Sequence, residues 1–342
     1  MISANIGEGA RNSTITVLVT GVGAIIGQGI IKSLRRSHYP LRIVGIDRSD
    51  QSPGPLLCDV FHKKPICDEL EPTYLDFWNE ILQKEGVDIV LPGLELDVFF
   101  LNGQRDLLKQ AGARLALNHH NLIELSTDKW QLGEELTRHG LPCIPTRLIV
   151  DSWQDAVSQL GTPPLLLKPR RGNGSRGIVR LCDETDFHYW YRRNNVKDAW
   201  LLQRIVGDDN EEYTVGLFGL GNGQALPSIT FRRRLSTAGN TQAAVVVDDP
   251  VIEAFVQSLT KLFQPLGPTN FQFRKEGEGA YLLEINPRFS SSTSLRAAFG
   301  YNEAEMSLDF FLFDKIPESP QIRYGMAWRY SEDFVTYDCD PI

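Results

Sequence analysis

Short β-rich apolar runs alternate with stretches of helical apolar spacing through the first third of the chain, and no other feature narrows the fold as much. Ile15–Thr20 and Leu41–Asp47 read as strands, with helical patterns over residues 25–34 and 74–85. Residues 87–91 read as a buried strand closed by Pro92-Gly93, residues 94–110 as a helix and residues 114–117 as one more strand. This alternation predicts a parallel sheet with helices on both faces. At 342 residues the chain exceeds one such unit, and ordinary domain sizes predict two or three lobes.

The style changes near Ser126. Residues 128–139 read as a helix that Ser126 or Thr127 could cap, stopped by Gly140-Leu141-Pro142. Residues 165–168 form an apolar strand pattern that runs into Pro169-Arg170-Arg171-Gly172-Asn173-Gly174-Ser175-Arg176-Gly177, and residues 178–181 resume the pattern. Two strands joined by such a loop predict a hairpin. Further strand candidates lie at residues 200–206, Glu212–Leu220, 243–247, 270–274 and 280–285, with Pro250–Phe263 as a helix. The fold class expected is α/β followed by a largely antiparallel α+β part.

Thirty-five Lys plus Arg against 43 Asp plus Glu give a net charge of −8, which argues against nonspecific nucleic-acid or anionic-membrane binding as the main activity. Five cysteines, odd in number and without a C-x-x-C pair, disfavour a disulfide framework and a structural zinc site, so a cytoplasmic location is expected. Residues 15–31 are apolar but broken by Thr16, Thr20, Gln28 and four glycines, so no membrane span or signal peptide is read there. Residues 1–13 show no apolar period and are expected to be a loose tail.

Three motifs can carry chemistry. Gly21-Val22-Gly23-Ala24-Ile25-Ile26-Gly27, with Asp47 closing the next strand, has the strand, turn and helix start of a dinucleotide site, but its G-x-G-x-x-x-G spacing equally suits a tight structural turn. In the loop at residues 168–177, three glycines and Ser175 free the backbone to wrap phosphate oxygens. Lys168 supplies a point charge there and Arg170, Arg171 and Arg176 add donors, whereas the bland reading is a solvated hairpin tip. In Tyr281-Leu282-Leu283-Glu284-Ile285-Asn286-Pro287-Arg288, alternation puts Glu284 and Asn286 on one face and Leu283 and Ile285 on the other. Gln272, on the preceding strand, can oppose them as a third oxygen donor, a set that suits magnesium.

Taken together and in this order, the motifs resemble the ATP-grasp superfamily, in its carbamoyl-phosphate-synthetase-like branch, from about residue 14 to about residue 312. The resemblance implies a Rossmann-like pre-ATP-grasp domain at residues 14–125, a small ATP-grasp lobe at 126–195, a large lobe with the metal site at 196–325 and a tail at 326–342. It implies that Lys129, Lys168, Gly172, Gly174 and Ser175 meet the nucleotide phosphates, that Gln203, Arg204, Ile205 and Val206 line the adenine and that Glu212 meets the ribose. Gln203 departs from the Glu common in the family. Gln272, Glu284 and Asn286 match its metal ligands, Arg288 an arginine that steadies the phosphoryl group and Arg233, in the run Arg232-Arg233-Arg234, an arginine that faces the acceptor. The same three arginines also read as a solvated strand edge, and Ser290-Ser291-Ser292-Thr293 as hydroxyls facing the substrate.

The activity so implied is an ATP- and Mg2+-dependent ligase, with Mn2+ as a substitute, that joins a small-molecule carboxylate to an amine through an acyl phosphate. Carboxyphosphate or carbamate phosphorylation is the alternative within the branch, and a homodimer is a family option. Two other classes compete: an NAD-dependent epimerase or reductase, for which no Tyr-x-x-x-Lys dyad follows the first lobe, and a non-catalytic nucleotide-binding protein.

Overall fold

The computed structural model describes residues 14–149, 152–172, 177–193, 199–333 and 335. Gly174 and Ser175 of the glycine-rich loop, the tail at residues 1–13 and most of the last nine residues lie outside these. The chain divides into two units: one holds the residues up to Leu117 together with Arg288–Pro320, the other Asn118–Pro287 with Gln321–Arg329.

In the first unit the alternating patterns become a five-stranded parallel sheet of β1 (Ile15–Thr20), β2 (Leu41–Asp47), β3 (Val60–Lys63), β4 (Ile89–Leu91) and β5 (Arg114–Leu115), in the order β3-β2-β1-β4-β5. The helix Ile25–Leu34 buries Ile30, Ile31 and Leu34 in the same core as Val17, Val19, Ile43 and Ile89. Arg288–Pro320 returns to this unit and adds Phe289, Ala304 and Leu308 to that core. The helix expected over residues 94–110 is two, Glu95–Gly103 and Arg105–Gln110, broken after Gly103 where glycine weakens helical continuity.

Two antiparallel sheets build the second unit. One contains β6 (Thr146–Leu148), β7 (Leu165–Pro169), β8 (Val179–Leu181) and β9 (Trp200–Arg204) in the order β6-β9-β7-β8. The other contains β10 (Glu212–Leu220), β11 (Ile229–Leu235), β12 (Thr241–Val246), β13 (Leu266–Glu276), β14 (Gly279–Asn286) and β15 (Met326–Trp328), in the order β14-β13-β10-β11-β12-β15.

Alternation on the six-stranded sheet sorts its two faces. Tyr213, Val215, Leu217, Phe271, Phe273, Leu282 and Ile285 pack with Ile252, Phe255, Val256 and Leu259 of the helix Pro250–Phe263, each large apolar side chain contributing about 1.5–3 kcal/mol on burial. Their sequence neighbours are thereby forced onto the opposite face, which is polar across β13, β14 and the start of β10 and buries Phe218 and Phe231 further along. Among the described residues no helix is long and apolar enough to cross a membrane.

Candidate functional site

The polar face collects Glu212 and Thr214 from β10, Asn270, Gln272 and Arg274 from β13, and Glu284 and Asn286 from β14. Strand register brings them together: Glu212 opposes Arg274, Thr214 opposes Gln272, Gln272 opposes Glu284 and Asn270 opposes Asn286. Glu284 Oε1 accepts two amide hydrogen bonds, from Gln272 Nε2 at 2.6 Å and Asn286 Nδ2 at 2.9 Å. Its other oxygen has no hydrogen-bond partner among the described residues. One correction concerns the facing residues: β14 carries a bulge opposite the step from Gln272 to Phe273, so Leu282 enters the core and Leu283 stays half-buried.

Behind this cluster lies a chain of alternating charges. Arg233 is 5% exposed and donates through Nη2 to Gln272 Oε1 at 2.5 Å and to Glu212 Oε1 at 3.1 Å, and through Nη1 to Thr241 Oγ1 at 3.2 Å. Glu212, 3% exposed, receives Arg274 Nε on its second oxygen at 2.9 Å, and Arg274 reaches Asp209 at 3.0 Å. The sequence expectation that Arg233 clamps a substrate carboxylate therefore needs correcting, because this guanidinium is buried and directed at three protein acceptors. Its neighbours Arg232 and Arg234 are exposed, as a solvated strand edge requires. Glu212, expected at a ribose, has both oxygens held by arginines.

Lys168, on β7, is 6% exposed and donates to Gln203 Oε1 on the paired strand β9 at 2.7 Å. Gln203 in turn donates to Thr146 Oγ1 at 2.7 Å. Burial, and then the charge of Lys129, push the Lys168 ammonium down to about 8, while Glu284 acts in the opposite sense. Lys168 is thus within electrostatic reach of both the second lysine and the carboxylate cluster. Lys129 donates to the Gly172 carbonyl oxygen at the start of the glycine-rich loop.

That loop is held at its base by Asp128, which caps the helix Lys129–Arg138 by accepting from the Trp130 and Gln131 amides. Ser126 and Thr127, the expected caps, donate backward to the Ile123 and Glu124 carbonyls instead. Asp128 also takes Arg170 at 2.8 Å and Arg171 at 3.0 Å, so neither arginine is presented to phosphate as the sequence suggested. Burial alone would raise the Asp128 carboxyl, but Arg170, the Gln131 amide and Arg171 hold it below its usual range. On the far side of β9, Arg204 N donates to the Pro145 carbonyl oxygen at 3.0 Å. The backbones of Ile205 and Val206 make no hydrogen bond among the described residues, which leaves an edge able to meet a planar base. A cavity of about 590 Å3 opens beside the helix Lys129–Arg138 and β6, but of the expected site residues only Lys129 lines it.

The first unit holds Arg288, whose Nη2 donates to Glu95 Oε2 at 2.7 Å and Nη1 to the Phe289 carbonyl oxygen at 2.9 Å. Ser290, Ser292 and Thr293 are buried there, with Thr293 and Arg296 both donating to Glu303, so three of the four expected substrate hydroxyls face inward. The N-terminal glycine turn is closed by its own side chains: Gly23 N donates to Asp47 Oδ2 at 2.9 Å and Gln28 Nε2 to the Gly23 carbonyl oxygen at 3.0 Å. A Cβ on Gly27 would stand 2.2 Å from the Gly21 carbonyl oxygen, which accounts for that glycine by packing alone. Asp47, where a ribose-binding acid was expected, is a structural acceptor.

Thr146, Asp128, Arg274 and Glu95 were not singled out from the sequence. Arg274 carried a signal as a charged residue two positions from Gln272 on the same strand face, and Asp128 carried one as a capping residue type directly before the helix Lys129–Arg138. Among the described residues no group of three His, Cys, Asp or Glu side chains can hold a metal. One carboxylate with an open oxygen beside amides is nevertheless a donor set that fits a hard divalent cation.

Comparisons with known proteins give likenesses in sequence and in fold. Residues 198–334 match the family described as "ATP-grasp in the biosynthetic pathway with Ter operon". Over 368 residues, covering 95% of this chain and 32% of the relative, the sequence is 24% identical to the carbamoyl phosphate synthase large chain of Thermotoga sp. (strain RQ2). It is 23% identical to the N-terminal section of that large chain from Aquifex aeolicus, covering 96% of this chain and 65% of the relative. The chain thus spans about a third of the full-length large chain and about two thirds of the section. Among solved structures, N5-carboxyaminoimidazole synthetase from Staphylococcus aureus in complex with ADP superposes with a TM-score of 0.68 at 18% identity, covering 91% of this chain and 81% of that one. The biotin carboxylase domain dimer of 2-oxoglutarate carboxylase from Hydrogenobacter thermophilus, with MgADP and bicarbonate, gives 0.69 at 17% identity, covering 91% and 73%.

Proposed function

We propose that this chain, which has the fold and the family match of the ATP-grasp superfamily, is an ATP- and Mg2+-dependent ligase that activates a small-molecule carboxylate and passes it to an amine. The observation that carries this reading is the position of Lys168, a buried cation within reach of both Lys129 and Glu284. Two cations beside one carboxylate suit a polyphosphate that arrives with a divalent cation, since phosphoryl transfer needs positioning and charge cancellation more than covalent help.

In this reading Lys129 and Lys168 neutralise phosphate oxygens. The backbone edge at Ile205 and Val206 accepts the adenine. Glu284 offers its open oxygen to the cation, with Asn286 beside it, and the bound ion would supply charge cancellation between the terminal phosphates. The substrate carboxylate oxygen forms a bond to the γ-phosphorus as the bond to ADP breaks. An amine then adds to the acyl carbon, phosphate leaves and the amine gives up a proton.

The likeness to carbamoyl phosphate synthase supports a second reading with the same machinery, in which bicarbonate or carbamate is the group phosphorylated. ADP release, measured across carboxylates and bicarbonate crossed with amines and with product mass determined, separates the two. Glu284→Ala should abolish acceptor-dependent ADP release and keep the wild-type circular dichroism spectrum; unchanged turnover would sink the assignment. In a thermal-shift assay MgADP should raise the melting temperature and NADH should not, because Asp47 and Gln28 close the glycine turn.

A further inference from the structure

We infer that Gln272 is a positioning residue and not a ligand of the divalent cation: wedged between Arg233 and Glu284, it turns the Glu284 carboxylate so that one oxygen alone is offered to metal. This rests on the ATP- and metal-dependent reading above and divides the labour within that site. The two neighbours dictate which way the Gln272 amide points. Arg233 can only donate hydrogen bonds and ionised Glu284 can only accept them. The Gln272 oxygen therefore faces the guanidinium, at 2.5 Å, and its NH2 faces the carboxylate, at 2.6 Å. Turning the amide to give its oxygen to a cation at Glu284 would set an NH2 group against a guanidinium and break both bonds.

Nor can Arg233 withdraw to release that oxygen. It is 5% exposed and is tied to Glu212 and Thr241, while Glu212 is held in turn by Arg274. The row Glu284, Gln272, Arg233, Glu212, Arg274 alternates acceptor and donor across β14, β13, β11 and β10, so strand register sets the orientation of Glu284. Oε1 receives the amides of Gln272 and Asn286, and Oε2, which has no partner among the described residues, is the oxygen left to a cation. Arg233 and Gln272 thus act on the metal only through Glu284.

Electron paramagnetic resonance of Mn2+ with ADP on the full chain, recorded in ordinary and in oxygen-17 water, counts the waters on the ion and measures its affinity. For Gln272→Met, which keeps the volume and removes both polar ends, the expected result is an unchanged water count with Mn2+ bound about ten- to a hundredfold more weakly, the usual effect of losing an outer-shell partner. One additional water on the ion in that variant would overturn the assignment, because a lost ligand is replaced by solvent. Arg233→Met is the independent second variant. Removing a positive charge should by itself tighten cation binding, so weaker binding supports the positioning role, and equal or tighter binding overturns it. Circular dichroism confirms that each variant is folded. If wild-type chain binds no Mn2+ with ADP, the metal- and nucleotide-dependent reading itself fails, and this assignment with it.

Discussion

The ammonium of Lys168 donates to the side-chain oxygen of Gln203 at 2.7 Å, from the adjacent strand of the same sheet. A neutral amide satisfies the lysine without balancing its charge, and burial therefore brings the Lys168 pKa down to about 8. ADP affinity should fall as pH rises through about 8, where Lys168 loses its proton, and Lys168→Met should bind weakly with no such inflection. Stability moves the other way. The unfolded chain keeps its proton up to the ordinary 10.5, so burying the charge costs folding free energy below about 8, and wild type should gain on Lys168→Met between those values. Calorimetric ADP titration and chemical denaturation over this range check the two signs.

Gln203→Glu places a carboxylate against the same ammonium. An opposite charge at hydrogen-bond distance favours the protonated lysine, so the inflection in ADP affinity should move upward by about one pH unit or more. An unmoved inflection would assign it to another group.

Asp128→Ala removes a helix cap and the acceptor shared by Arg170 and Arg171. Stability should fall by about 1–3 kcal/mol in thermal or chemical denaturation, and ADP affinity should fall with it because the loop base is released. Against Asp128→Asn, the wild-type advantage should be present at neutral pH. It should vanish as pH falls below the ordinary carboxyl value of 3.8 and through the lower value that folding imposes.

Glu212→Gln leaves Arg233 and Arg274 without the carboxylate they share. Breaking a buried pair on one side costs about 3–5 kcal/mol, and the cost should be at the lower end because Arg274 reaches solvent and Asp209. Guanidinium chloride denaturation measures it.

Local patterns made much of this legible in the sequence. A short hairpin brings Gln272 within one residue of Glu284, and the bulge that completes the pairing is not written in the pattern; the apolar run before the glycine-rich loop marks Lys168 as a strand residue. What escaped depends on contacts between residues far apart in the chain. Nothing near Arg170 or Arg171 names Asp128, 42 and 43 residues away, as their partner. Likewise, Thr146 is joined to Gln203, and Glu95 to Arg288, only by the packing of separate elements. The arginine run reads as one unit, yet alternation sends Arg233 inward and its two neighbours out, which the sequence allows but does not announce.

The extra residue in β14 has a consequence for how the hairpin tolerates change. Tyr281 faces Arg274 and Leu282 faces Phe273; past Leu283 the pairing resumes one residue out of step, with Glu284 on Gln272 and Ile285 on Phe271. Were the strand to run on without the bulge, Leu283 would take the place opposite Gln272 and every later side chain would reverse, pressing the acid into the phenylalanine core and turning Ile285 to the polar face. The turn at Gly277 and Glu278 lies beyond that phase step, so it could be lengthened without disturbing the acid. As the extra residue, Leu283 sets which of the later side chains of its strand reach the polar face.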